Sequence, residues 1–148
     1  MSIDHNLIQA ARESLATFLH QNPLLSSWDA LVDYAHLTIA DSTIEKFHVL
    51  HLDNKNRLIA DVQMGIGTVN HVPVYVREVV RQALLNNAKA MILVHNHPSG
   101  DPTPSDADIK MTKSIIKAAD LFDITVHDHL VVCPNTGTEY SFRAHGLI

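Results

Sequence analysis

An α/β domain, built as a mixed β-sheet flanked by helices, is what this sequence predicts, and three observations carry the prediction. Amphipathic stretches with helical spacing alternate with short segments whose apolar residues recur every second position. One segment, Ala90-Met91-Ile92-Leu93-Val94, is apolar without interruption, as a central strand covered on both faces must be. The chain has 148 residues, 46% of them hydrophobic and 18% charged, which describes one globular domain with room for a core.

The elements follow in order. Residues 3–21 carry Leu7, Ala10, Leu15 and Phe18 or Leu19 on one helical face, and Gln21-Asn22-Pro23 stops the helix. Ser26-Ser27 cap a second helix whose inner face is Trp28, Leu31, Val32 and Tyr34. From Glu45 the period becomes two: Phe47, Val49 and Leu52 mark a strand, Asp53 to Asn56 a turn, and Leu58-Ile59-Ala60 the return strand of a hairpin. Gly65-Ile66-Gly67 breaks or bulges that strand. Arg77 to Ala88 reads as a helix with Val79, Val80, Ala83 and Leu84 inward, and the apolar strand follows. Ser105 to Phe122 is a further helix with Ile109, Thr112, Ile116 and Ala119 on one stripe. Ile124 to Cys133 is a strand, Asn135-Thr136-Gly137 a turn, and Glu139 to Phe142 a closing strand. Residues 1–27 are expected to form an N-terminal helical extension, packed on or loosely tied to the domain of residues 28–148.

Composition narrows the function classes. Net charge is −5 with only eleven Lys and Arg and no run of them, which disfavours direct nucleic-acid binding. No segment is apolar over the length that spans a bilayer, and no secretory signal is visible at the start. The single cysteine, Cys133, excludes an internal disulfide and reads as a small buried side chain, so a cytoplasmic location is expected.

Eleven histidines is a high number for this length. Seven are scattered and read as structural; the other four form two pairs, His95/His97 and His127/His129. Side chains at i and i+2 of a strand share a face, so His95 and His97 converge where the apolar strand ends, at the edge where α/β sheets place their chemistry. The loop that follows is long enough to return Asp108 beside them. Ser105 and Asp108 also stand as N-cap and third residue of the next helix, which fixes Asp108 at the mouth of the site. Two imidazoles and a carboxylate, with a fourth position for water, suit a catalytic zinc ion.

The pattern His-x-His, seven residues, Ser, two residues, Asp resembles the JAMM (MPN+/JAB) metallo-hydrolase motif. The longer string HNHPSGDPTPSDAD, with DHLVV and SFRAHG downstream, closely resembles the RadC-like branch, over roughly residues 28–148. The resemblance implies a JAMM/MPN-type, cytidine-deaminase-like fold and one Zn2+ per chain held by His95, His97 and Asp108. It implies that Ser105 steadies an oxyanion and that the substrate is a peptide or isopeptide-linked protein. Asp128-His129 falls on the family's Asp-His pair and is expected to support the ligands or the fold. Asn96, alternating to the opposite face, is expected to shape the loop. Full-length RadC-type proteins usually carry an upstream helix-hairpin-helix module, and none is expected within these 148 residues.

One departure concerns the base. JAMM enzymes use a glutamate from an earlier strand, and the alignment over Ala60-Asp61-Val62-Gln63-Met64 puts Val62 at that position. Asp61 becomes the candidate base if the bulge near Gly65 shifts the register; Gln63 takes no proton, and Glu78 opens a helix. General acid–base catalysis is worth about 10²–10⁴-fold, so a domain without it would be slow or kept for binding. Three readings follow: a zinc metallopeptidase-like hydrolase, an MPN-type interaction module, and a DNA repair or recombination accessory. Homo-oligomerisation is left open.

Overall fold

The computed structural model describes residues 4–68, 71–134 and 138–148, with the backbone alone for Leu25. Helix α1 (His5–Gln21) begins where the Asp4 carboxylate accepts from the N–H groups of Asn6 and Leu7. A 3-10 turn at Leu24–Ser26 leads into α2 (Trp28–Ala35), which runs on as one π turn, His36–Ala40. Strands β1 (Lys46–Leu52) and β2 (Leu58–Ile66), α3 (Val76–Leu85), β3 (Ala90–Asn96), α4 (Asp106–Asp120), β4 (Thr125–Val132) and β5 (Glu139–Ser141) complete the order. The expected turn at Asn135-Thr136-Gly137 lies outside the described residues, as does Ile3.

The strands form one sheet in the order β2-β1-β3-β4-β5. β3 and β4 run parallel, connected through α4, and the remaining neighbours are antiparallel. This is the mixed sheet the sequence predicts, and β3 sits at its centre with every residue buried. Helices cover both faces. On one, α1 and α2 bury Leu19, Leu31 and Tyr34 against Leu50, Ile92, Val94 and Leu130. On the other, α3 and α4 bury Val79, Ala83, Ile115 and Ala119 against Phe47, Val49, Met91 and Leu93. No helix among the described residues is long and apolar enough to cross a membrane.

Several details depart from the sequence reading, and Trp28 of α2 and Leu84 of α3, expected inward, are both exposed. Only the C-terminal half of α1 reaches the sheet, through Leu15, Ala16 and Leu19, so Leu7 and Phe18 stay exposed. On α4 the inner stripe is Thr112, Ile115 and Ala119, with Ile115 rather than Ile116 fully buried. Ser27 stands at the N-cap of α2 but its hydroxyl donates to the Pro23 carbonyl instead of capping the helix.

The expected bulge lies one residue earlier than the glycines. Phe47 pairs with Gly65 and His48 with Gln63, leaving Met64 as the extra residue. The two glycines serve a close crossing: a Cβ at Gly67 would stand 1.9 Å from the His71 carbonyl oxygen, where residues 71–75 pass over the end of β2.

β2 is also irregular before Asp61: Leu58 pairs with Leu52 and Ala60 with His51, leaving Ile59 as an extra residue and putting Asp61 on the same face as Leu58. Asp61 pairs with Leu50 and projects into the α1/α2 layer. There its carboxylate accepts from His48 Nδ1 at 2.7 Å and from the Tyr34 hydroxyl at 2.5 Å. Burial alone would raise the Asp61 pKa, but the bonds from His48 and Tyr34 outweigh it and hold the group below the usual carboxylate range. A depressed folded-state pKa contributes stability above the unfolded value near 3.9 that is lost as pH falls through the folded value. In metal-free protein, D61N is therefore expected to flatten the loss of stability below about pH 4, read from denaturant midpoints across pH. D61A, which strands the Tyr34 and His48 donors, should cost about 1–3 kcal/mol at neutral pH.

Candidate metal centre

The centre forms where β3 ends. Strand alternation puts His95 on the α3/α4 face with Met91 and Leu93, fully buried. The main chain continues the ladder one residue further, His97 N donating to the Val132 carbonyl, so His97 emerges on the same side. The Pro-rich loop then returns to α4, which begins with a reciprocal capping box. Ser105 Oγ accepts from Asp108 N at 3.0 Å, and Ser105 N donates to Asp108 Oδ2 at 2.9 Å. That pair of bonds aims the Asp108 carboxylate back at the histidines.

Three potential ligand atoms meet there. The Nε2 atoms of His95 and His97 lie 2.9 Å apart, and Asp108 Oδ2 is 3.4 Å from the first and 3.2 Å from the second. His97 Nδ1 donates to the Asp101 carbonyl at 2.9 Å, leaving its Nε2 as a lone pair directed inward. A tetrahedral metal with bonds of about 2.0–2.1 Å separates its ligands by about 3.3 Å; the two edges to Asp108 match that separation, and the 2.9 Å edge between the imidazoles would open by a few tenths of an ångström. Nitrogen lone pairs at this spacing, facing a carboxylate, also call for a cation between them. The donor set fits a divalent metal.

Charge in the centre follows the same geometry. Burial, outweighing Asp108, lowers the His95 pKa and favours its neutral form, the form that ligates metal. Burial works against a charged His97 too, but its bonds to Asp108 and to the Asp101 carbonyl raise its pKa. Asp108 is partly buried, yet the two imidazoles beside it and the Ser105 N–H keep it ionised far below the usual range.

The surrounding cleft, about 740 Å³, is lined by Glu45, Ser105, His97 and Asp108, with Tyr75 and Met111 among its apolar walls. Glu45 is a second carboxylate lining the cleft beside Asp108, and the sequence reading missed it. It directly precedes β1; β1 neighbours β3 in antiparallel register, with Phe47 opposite His95, so the start of β1 lies beside the end of β3. Its carboxyl pKa is raised by burial and by the Asp108 charge, against the pull of His97. The main chain around it is pinned. Glu45 N donates to Thr68 O, Gly67 N donates to Glu45 O, Lys46 N donates to Asn96 Oδ1 at 2.7 Å, and Asn96 Nδ2 donates to Ile44 O at 2.9 Å. Asn96 thus shapes the acid's segment rather than the loop after β3.

The candidate base at Asp61 is corrected accordingly: Asp61 lies on the opposite face of the sheet, held by His48 and Tyr34. Val62 pairs with Val49 within the hairpin and does not line the cleft. A signal for Glu45 was present, an acid immediately before a period-two strand, but its use required knowing that β1 adjoins β3.

The second histidine pair divides. His129 is buried with Nε2 2.7 Å from His95 Nδ1, whereas His127 Nε2 donates to Asn56 Oδ1 at 2.8 Å, away from the centre. Asp128 holds the C-terminal turn, accepting from Ser141 Oγ at 2.5 Å and from Arg143 N at 3.0 Å. Cys133 is buried, and burial raises its thiol pKa.

Comparison with known proteins agrees with this architecture. The profile of the RadC-like JAB domain matches residues 25–147. A UPF0758 protein of Rhodobacter capsulatus is 55% identical over 143 residues, covering 96% of this chain and 66% of its own length. A UPF0758 protein of Ruegeria pomeroyi is 50% identical over 146 residues, covering 98% of this chain and 64% of its own. The chain thus spans just under two thirds of the length of these relatives. With its mixed sheet, its His95/His97/Asp108 cluster and this match over most of its length, the chain belongs to the RadC-like JAB domain family.

Proposed function

We propose that this domain is a zinc-dependent hydrolase of amide or isopeptide bonds. The observation that supports it best is the convergence of a potential metal triad, a partly desolvated acid and a helix-capping hydroxyl on one cleft. When bound, zinc lowers the pKa of water and polarises a carbonyl.

The chain's own residues supply the rest. Glu45 accepts a proton from the attacking water at its carboxylate and delivers it to the leaving amine. Burial and the Asp108 charge raise its pKa, which strengthens it as a proton acceptor. Ser105 Oγ uses a lone pair for the α4 cap, so its hydrogen remains to donate to the developing oxyanion. The apolar walls exclude water and accept the side chains flanking the scissile bond.

The interaction-module reading rested on Val62 standing in place of a glutamate; the presence of Glu45 in the cleft supports the hydrolase reading over it. The test combines metal analysis with mass spectrometry of a mixture of peptides and lysine-isopeptide conjugates. About one zinc per chain, and cleavage that stops on chelation and returns with zinc, is expected. Full zinc occupancy with every substrate intact would overturn the proposal.

A further inference from the structure

Beneath the metal centre runs a closed chain of hydrogen bonds that begins at one potential ligand and ends at another. His95 Nδ1 lies 2.7 Å from His129 Nε2, and His129 Nδ1 lies 2.7 Å from Thr112 Oγ1. Thr112 Oγ1 in turn stands 2.7 Å from the Asp108 carbonyl oxygen. His95, His129 and Thr112 are all fully buried.

The positions of the hydrogens follow from the chemistry of the ends. A carbonyl oxygen only accepts, so the single Thr112 hydroxyl hydrogen points at Asp108 O. Thr112 Oγ1 therefore accepts from His129, whose proton sits on Nδ1. The His129 ring is fully buried and its two nitrogens face an imidazole and a hydroxyl rather than a carboxylate, so it carries one proton, and its Nε2 is a lone pair that accepts from His95 Nδ1–H. The one arrangement left to His95 is a lone pair on Nε2, the atom that faces His97 and Asp108.

We propose that Thr112 and His129 are positioning residues that fix His95 in its metal-ligating tautomer, Thr112 setting the polarity of the chain and His129 transmitting it. The His129 ring is locked for this task. Phe142 stacks on it with centroids 4.4 Å apart and planes inclined by 17°, and Phe47 meets it edge-on at 5.6 Å. Its main-chain N–H is taken by Asp128 Oδ1 at 2.7 Å, and its carbonyl accepts from Phe142 N. The C-terminal segment carrying Phe142 thereby becomes part of the metal centre's support.

This inference rests on the metal-binding half of the proposed function and needs no turnover. T112V retains the shape of the side chain but removes the acceptor. His129 then gains nothing by holding its proton on Nδ1, and a shift to Nε2–H turns a donor toward His95 Nδ1. His95 would have to carry its own proton on Nε2, where the metal binds. T112S restores the hydroxyl.

Zinc affinity, measured by competition with a chromophoric chelator, is expected to fall about 10–100-fold in T112V and to stay within a few-fold of wild type in T112S. Imidazole 15N spectra should show the wild-type His129 protonated on Nδ1, in metal-free and zinc-loaded protein alike, and T112V should lose that pattern. An Nε2–H tautomer for His129 in the wild type, or T112V binding zinc as tightly as wild type, overturns the proposal. The metal-free spectrum decides the matter even if T112V does not fold or the wild type takes up no zinc. In the last case the functional reading fails separately.

Discussion

Glu45→Gln is expected to bind zinc as the wild type does and to slow the proposed hydrolysis by about 10²–10⁴-fold. The metal stays because Glu45 is outside the cluster of potential ligand atoms, which comprises His95, His97 and Asp108 alone among the described residues. The fold stays because the groups holding this segment are main-chain atoms of residues 44–46 and the Asn96 amide, none of which the substitution alters. What the amide cannot do is take a proton from water and return it to the leaving amine. The loss corresponds to about 3–5 kcal/mol of barrier. Measured at saturating zinc on a substrate that the wild type cleaves, it should fall on kcat, with KM little changed. A wild-type rate in E45Q at full zinc occupancy would remove Glu45 from the chemistry.

How much of this was legible in the sequence depends on how local each feature is. His95 and His97 share a face because of strand alternation, and Ser105 with Asp108 form a capping box because of helix geometry; both rules act within a few residues. The buried strand β3, the hairpin and the order of elements are legible for the same reason. Glu45, by contrast, reaches the cleft only because β1 rather than β2 lies beside β3, and adjacency of strands is a property of the whole sheet. Asp61 was misplaced by a single step of the same kind. A period-two strand assigns faces only once its register is known, and the irregularity at Ile59, ahead of Asp61, turns that carboxylate toward the α1/α2 layer. The choice between Ile115 and Ile116 on α4 is similar, two neighbours that a 3.6-residue period barely separates. Thr112 read as one more core position on an apolar stripe, because the partner that gives it a role, His129, comes from β4.

Replacing Asp108 should separate two functions that meet on one oxygen atom. Oδ2 accepts the Ser105 N–H that closes the α4 cap and also lies nearest the two imidazoles. D108A removes both, so the metal-free protein is expected to lose about 0.5–2 kcal/mol, the usual worth of a helix cap, and to bind no zinc. D108N can still offer an oxygen to Ser105 N and should recover part of that stability. It brings no negative charge to the metal, however, and without the charge the pair of imidazoles holds a dication poorly. Thermal melts with and without zinc distinguish the two effects. At a thousandfold excess over its dissociation constant, a ligand that binds only the folded state adds about 4 kcal/mol, so the wild type should melt markedly higher with zinc. Neither variant should respond, even though their metal-free melting temperatures differ. A zinc-dependent rise in D108A equal to that of the wild type would show that the carboxylate serves the helix alone and that the metal is held elsewhere.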